Sequence, residues 1–389
     1  MVNNHLQVSD LGERKLIERI IEKLKNSYND SKEGFLNDKW NDFYIGDDSA
    51  LIKLNNDYYN LNNNDNYLVA TSDMLIEKSH FPKQMSYFQI GKKAVTVNVS
   101  DLAAMGAKPI GILINLAIPK KLKLSYFDEL IDGILDACSY YKIPLVGGDT
   151  NQSDEIIISG TALGEVKKEK TLFKHGFGDG DLIAITDKIG LAALGFEIFN
   201  SQISTKLIKK SLVNHEIDRN IVDLAIQKVL NPIAKINEGM ILSYFASSAT
   251  DITDGLASEL YELCNSNKNK NPNSKLGMII YENKLPFLDE ITKISKILKK
   301  NPLNLILHTG EDFELLFTIN KDNLEKLYEL NKIKKNKFDF FDFYIIGEIN
   351  NKNKVEIKHI NGSVKELSSK GYEHLVNNKL VEVRNDYED

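Results

Sequence analysis

Apolar residues recur along this chain in two rhythms. Between Glu13 and Lys25 they fall at Leu16, Ile17, Ile20, Ile21 and Leu24, the spacing of one helix face. Tyr126 to Tyr141 repeats that rhythm as an amphipathic helix. Leu191 to Phe199 and Gln227 to Phe245 carry further helices, the last broken at Asn231-Pro232. Shorter runs predict strands: Phe43 to Ile45, Ala50 to Ile52, Tyr67 to Ala70, Gly111 to Ile118 (stopped by Pro119), Pro144 to Val146 and Ile156 to Gly164. Beyond them lie Leu182 to Thr186, Leu303 to Leu307, Glu314 to Ile319 and a last strand, Tyr344 to Ile349. Alternating strands and helices point to α/β or α+β construction.

One stretch combines apolar and small residues around a single acid. Ile90 to Pro109 predicts a helix in which Asn98 and Asp101, three apart, share a face. Ala103, Ala104, Gly106 and Ala107 follow, and small residues let other backbone or a ligand come close. The plainer alternative makes Ser100 the N-cap of a shorter helix and Asp101 its first-turn acid. Polar positions gather elsewhere. Asn55 to Asn66 and Asn265 to Lys275 read as surface loops, and Gly176 to Asp181 as a turn cluster.

Composition narrows the class. At 389 residues, two domains are the best expectation, 1–167 and 168–389, with the second unit beginning near Lys168. A net charge of −6 argues against broad nucleic-acid binding, so no nucleic-acid partner is expected. The longest apolar run, Ile110 to Ile118, is too short to span a bilayer, and no membrane partner is expected. Cys138 and Cys264 form no CxxC pair, which fits a reducing compartment. The N-terminus lacks the order of a signal peptide, and a cytoplasmic location is expected.

Acidic residues sit at predicted strand ends or beside glycine at Asp47/Asp48, Asp73, Asp149 and Asp251/Asp254, with Asp101 a fifth position. Any one of these is ordinarily a turn or capping residue. Five converging carboxylates are another matter: unit charges about 4 Å apart at an effective dielectric near 20 interact by roughly 4 kcal/mol. Such a pocket needs cations between the acids. Oxygen donors with hydroxyls nearby (Thr71, Ser72, Thr253) suit Mg²⁺ shared with phosphates. P-loop, kinase-type and dinucleotide glycine motifs are missing, and no Ser/His/Asp or Cys/His set stands out.

The motifs GDDSAL at Gly46, TSDMLIEKSHF at Thr71, KAVTVNVSDLAAMGAKP at Lys93, GGDT at Gly147, DITDG at Asp251 and GEDFELLFT at Gly310 resemble thiamine-monophosphate kinase, in the family's order. SDLAAMGA alone resembles the wider superfamily of aminoimidazole ribonucleotide synthetase. The resemblance implies a two-domain fold, with an N-terminal domain contributing to a dimeric β-barrel and a C-terminal α+β domain. It implies a homodimer that uses ATP and several Mg²⁺ ions to phosphorylate thiamine monophosphate. By matching positions it implies a metal shell of Asp48, Thr71, Ser72, Asp73, Asp101, Asp149, Asp251 and Asp254. It implies ATP contacts at Gly148, Asp149, Lys174 and Thr253, and substrate contacts at His80, Glu311 and Tyr372. Lys174 stands where the family commonly has Arg, and Ser369 where an aromatic is common. No dedicated catalytic base is identified. Two other readings stay open on the residues: a ligase-type ATP user of the same superfamily, and a non-catalytic nucleotide sensor.

Overall fold

The computed structural model describes residues 15–23, 43–44, 47–53, 66–199, 202–334 and 341–368. Two mixed sheets form the frame. The first contains β1 (Phe43–Tyr44), β2 (Ala50–Lys53), β3 (Asn66–Ile76), β4 (Lys108–Ile118), β5 (Leu145–Gly147), β6 (Thr150–Gln152) and β7 (Ile157–Lys167). Its order is β1-β2-β3-β7-β4-β5, with β6 also pairing β4. β3 and β7 pair antiparallel from Asn66↔Lys167 to Ile76↔Ile157. Alternation along β3 buries Tyr67, Val69, Thr71 and Leu75 on one face and leaves Ser72 and Met74 exposed on the other.

Helix α1 (Tyr87–Ala104) lies on the buried face of this sheet. Ser86 starts it: its hydroxyl accepts from Gln89 N, and Gln89 returns a bond to the Ser86 amide, a capping box. The helix has little polar face because it is enclosed on several sides. A Cβ on Gly91 would lie 2.1 Å from the Leu130 carbonyl oxygen of α2 (Leu124–Tyr141), and one on Gly133 would lie 1.9 Å from that of Phe88. The small residues at its end serve the opposite contact. A Cβ on Gly239 would meet the Ala103 carbonyl oxygen at 2.1 Å. Ser100 is thus an interior helix residue and not an N-cap.

The second sheet contains β8 (Leu182–Thr186), β9 (Ser248–Asp251), β10 (Gly277–Tyr281), β11 (Leu315–Ile319), β12 (Phe343–Asn350), β13 (Val355–Lys358) and β14 (Val364–Glu366). Its order is β14-β13-β10-β12-β8-β11-β9. Around it run α3 (Leu191–Phe199), α4 (Arg219–Leu230), α5 (Ile236–Leu242), α6 (Leu256–Lys270) and α7 (Pro302–His308). The α/β (α+β) expectation holds, with sheets and helices in both halves.

Several expectations change. Leu303 to Leu307 is helical, not a strand. Asn301 Oδ1 accepts from Leu303 N at 2.9 Å, and Pro302 occupies the first turn, so local capping decides what a short apolar run leaves open. The Asn/Lys-rich loop begins later than expected, because α6 continues to Lys270 on its buried stripe of Leu256, Leu260 and Leu263. A helix over Gln202–Val213 was not anticipated. Tyr344 to Ile349 is not the last strand, since β13 and β14 follow. Asp73 lies inside β3 and not at its end. Asn66 starts β3; 54–65, the rest of the first Asn-rich stretch, lie outside the described residues, as do Ser369, the C-terminal GYEH and Tyr372 within it.

Candidate active site

α1 brings its polar residues between the two sheets. Thr71 and Asp73 share the buried-side face of β3 with Val69 and Leu75. Thr71 Oγ1 donates to Asp101 Oδ2. Asn98 Oδ1 accepts from the Asp73 amide at 3.1 Å. That contact requires Gly160 on β7, where a Cβ would lie 2.2 Å from Asn98 Nδ2. Asn98 and Asp101, three apart on α1, therefore both face β3.

From the other side, β9 ends at Asp251, whose Oδ2 accepts a hydrogen bond from Ser100 Oγ. Thr250 Oγ1 donates to Asp48 Oδ1 at 3.1 Å. Lys174 Nζ lies 2.8 Å from the same Asp48 oxygen, while the Asp47 carboxylate accepts the Lys174 amide at 3.1 Å. These contacts form three pieces joined through the chain, since Ser100 precedes Asp101 and Thr250 precedes Asp251, and together they bring Asp48, Asp101, Asp251, Thr71 and Lys174 into one neighbourhood.

The network is electrostatically unbalanced. Burial raises the Asp101 carboxyl well above the usual carboxylate range, and Asp73, Asp251 and Asp48 push it the same way. Burial and then Asp48 raise Asp251 and Asp47. Glu259 is also raised well above its ordinary value by burial, reinforced by Asp254, Asp251 and Asp48 and opposed by Lys174. Burial works against the charge of Lys174, but Asp48, Glu259 and Glu262 outweigh it and hold its pKa well up. Asp48 Oδ2 is buried with no hydrogen-bond partner. Among the described residues no three acidic, His or Cys side chains stand together as a finished ion cage. The donor chemistry nevertheless fits a hard cation: oxygen ligands only, one orphaned carboxylate oxygen and a surplus of negative charge.

The remaining expected residues fall into separate places. Ser72 leaves the cluster, because period-two alternation turns it to the other sheet face; its hydroxyl donates to Gly160 O at 2.9 Å. Gly148 and Asp149 sit beyond β4, where a Cβ on Gly148 would lie 1.8 Å from Ile114 O. Ile114 pairs Gly160, which pairs Asp73, so this turn lies about three strand spacings from Asp73, roughly 14 Å. Asp149 is exposed and caps Thr150 N at 2.8 Å. Asp254 donates its amide to Glu259 Oε1 at 3.1 Å. Thr253 O accepts from Glu311 N at 2.9 Å, which lays the 309–314 loop alongside the strand end carrying Asp251. Glu311 and the His80 carbonyl both meet Lys93.

Lys93, Glu259 and Ser100 were not anticipated as site residues. Glu259, in the first turn of α6, carried only the ordinary signal of an acid near a helix N-terminus. Lys93 carried none, because Lys92 beside it reads the same and pairs with Asp136 at the surface.

A cluster of carboxylates with a lysine beside it can handle polyphosphate through bridging cations. The family model for the N-terminal domain of AIR synthase related protein matches residues 46–166. Thiamine-monophosphate kinase from Pyrococcus abyssi is 34% identical over 339 residues, 87% of this chain and 93% of the relative. The structure of AaThiL complexed with AMPPCP and TMP superposes with a TM-score of 0.72 at 27% identity, covering 96% of this chain and 100% of that one. Thiamine monophosphate kinase from Aquifex aeolicus gives 0.66 at 25% identity, covering 93% and 99%. This chain belongs to the thiamine-monophosphate kinase family.

Proposed function

We infer that this chain transfers the γ-phosphoryl group of ATP to the phosphate of thiamine monophosphate, giving ADP and thiamine diphosphate. One observation carries the reading: Asp48, Asp101 and Asp251, drawn from both halves of a chain of this family, lie near enough that Asp48 adds to the pKa rise that burial gives the other two, with Lys174 on Asp48 and Asp48 Oδ2 left unpartnered. A ligase-type use of ATP or a nucleotide sensor is not needed to explain it.

The acceptor is itself a phosphate monoester, largely ionised near neutral pH. Its difficulty is repulsion from the triphosphate more than a want of a base. Asp48, Asp73, Asp101 and Asp251 would hold Mg²⁺, with Asp254 as a further ligand and the Thr71 hydroxyl orienting Asp101; Asp149, on the Gly148 turn about three strand spacings away, is assigned to the ATP side. The ions supply charge neutralisation between the two phosphates. Lys174, Thr253 and the Gly148 turn are assigned to ATP, with Lys174 offering a point charge where a planar fork is common. His80 and Glu311 are assigned to the acceptor, and Tyr372 to its ring. Ser72 is dropped from the ligand set. Transfer is direct and in line, with positioning as the main contribution of the protein.

We also read the chain as two units, 1–167 and 168–389. Met74 and Val146, each 58% exposed on strands of the first sheet, give that sheet an apolar outer surface suited to a second copy. A cytoplasmic enzyme accords with the substrates; among the described residues no helix is long and apolar enough to cross a membrane. The test is ADP release from ATP with Mg²⁺, comparing thiamine monophosphate, an aminoimidazole precursor and no acceptor. Turnover only with thiamine monophosphate is expected. Equal turnover without it would sink the proposal.

A further inference from the structure

Lys93 is a charged residue on a largely buried helix, about two turns before Ser100 and Asp101. Its side chain has no exposure, and its neighbours along α1, among them Ile90, Ala94 and Val97, are buried as well. Nζ meets three oxygens: the His80 carbonyl at 3.0 Å and both Glu311 carboxylate oxygens at 2.7 Å. Three acceptors account for the three protons of the ammonium. The partners come from distant segments. His80 ends the helical turn Glu77–His80 before α1, and Glu311 lies 218 residues from Lys93 on the loop before β11.

That loop is shaped for the contact. Glu311 and Phe313 both adopt left-handed φ values, 64° and 53°, which side chains other than glycine rarely take. The amides of Glu311 and Phe313 donate to Thr253 O and Ile252 O, fixing the loop to the strand end beside Asp251. The His80 ring is fixed too, with Nδ1 2.9 Å from the Ile76 amide nitrogen.

We propose that Lys93 is a positioning residue for the acceptor: by holding the His80 carbonyl and the Glu311 carboxylate on one buried ammonium, it sets the span between the two residues that receive thiamine monophosphate. The proposal rests on the assignment of His80 and Glu311 to the acceptor. It gives α1 a second role, since the helix that presents Asp101 also places the loop across from it.

The experiment uses the full chain and measures both substrates. Lys93→Met should raise KM for thiamine monophosphate by about tenfold or more while KM for ATP stays within about twofold. On a Glu311→Gln background it should add less than about twofold, because the two changes break one contact. Equal rises in both KM values, or full additivity, overturns the positioning role. His80→Ala and Glu311→Gln run alongside. If neither moves KM for thiamine monophosphate, the acceptor assignment falls and takes this inference with it. If they raise it and Lys93→Met does not, only this inference falls. Should Lys93→Met not fold, Lys93→Arg keeps the buried charge but changes its reach. It should then shift KM for thiamine monophosphate by about threefold or more with ATP unaffected; no shift in either overturns the proposal.

Discussion

Two buried charge networks lie close together in this protein and behave differently. In the cluster between the sheets, the carboxyls of Asp47, Asp48, Asp101, Asp251 and Glu259 lie near one another, and the Lys174 ammonium pairs with Asp48 and opposes the pKa rise that burial gives Asp47, Asp251 and Glu259. In the second network, Glu314 at the start of β11 meets Lys228 at 3.0 Å, Lys235 at 3.2 Å and the Thr186 hydroxyl at 2.9 Å. Glu314 is as buried as any residue in the cluster, yet both of its oxygens have partners. A balanced network holds a fold together, and an unbalanced one awaits cations. Burial alone does not distinguish them; the ratio of charges and the orphaned oxygen do.

The largest expected difference is in catalysis. Asp73→Asn, Asp101→Asn and Asp251→Asn should each cut kcat by about 100-fold or more, since they remove negative charge that would hold the ions at the transferring group. Their thermal midpoints should hold or rise, because each change relieves repulsion among buried carboxylates. EDTA should abolish turnover of the parent enzyme. Undiminished turnover in two of the three variants, or in EDTA, would count against the metal assignment.

The converse change is Lys228→Met in the balanced network. It strips one of two cations from a fully buried carboxylate, and breaking a buried pair costs about 3 kcal/mol. Lys235 remains, so a loss of about 2 kcal/mol is expected in urea unfolding, with both KM values within about twofold of the parent. A variant as stable as the parent, or one with a selective KM defect, would place this network in the site.

A smaller effect belongs to Lys174. With its amide on Asp47 and its ammonium on Asp48, it is held in place before any nucleotide arrives. Lys174→Ala should raise KM for ATP by about tenfold and KM for the acceptor by less, and Lys174→Arg should retain activity. An unchanged ATP dependence in Lys174→Ala would remove it from the nucleotide contacts.

How much of this was legible beforehand depended on range. The helix around Asp101 was readable because Asn98 and Asp101 are three apart, and that spacing alone puts them on one face. The apolar strand runs were readable for the same local reason. Leu303 to Leu307 misled because four apolar residues around Asn304 are too few to fix a period; the deciding signals, Asn301 and Pro302, lay just before them. Ser72 misled because membership of a motif says nothing of which sheet face a residue takes. The distance of Asp149 from Asp73 depends on two strand pairings, and the burial of Lys93 rather than Lys92 depends on Glu311 arriving from the other half of the chain. Neither is a local property.

The smallest expected effect separates the networks by pH. Asp312 lies between Glu311 and Glu314, and burial raises its carboxyl to about 7, with Glu314 adding and Lys228 opposing. Gly190 N donates to it at 3.1 Å, just ahead of α3, a bond that the protonated acid can still accept. In the unfolded chain the group titrates near its ordinary 3.8. Between that value and about 7 the folded state therefore holds a proton that the unfolded state has released. Stability from this group is complete below the lower value and is lost as pH rises through the upper one. Asp312→Asn keeps a carbonyl acceptor for Gly190 and cannot ionise, so it should flatten this part of the slope. Urea midpoints of parent and variant at pH 5 and pH 8 measure it, and taking the difference between the two proteins cancels the other buried carboxylates. A slope identical in both would mean that Asp312 stays ionised in the fold, held by Lys228, and belongs with the balanced network after all.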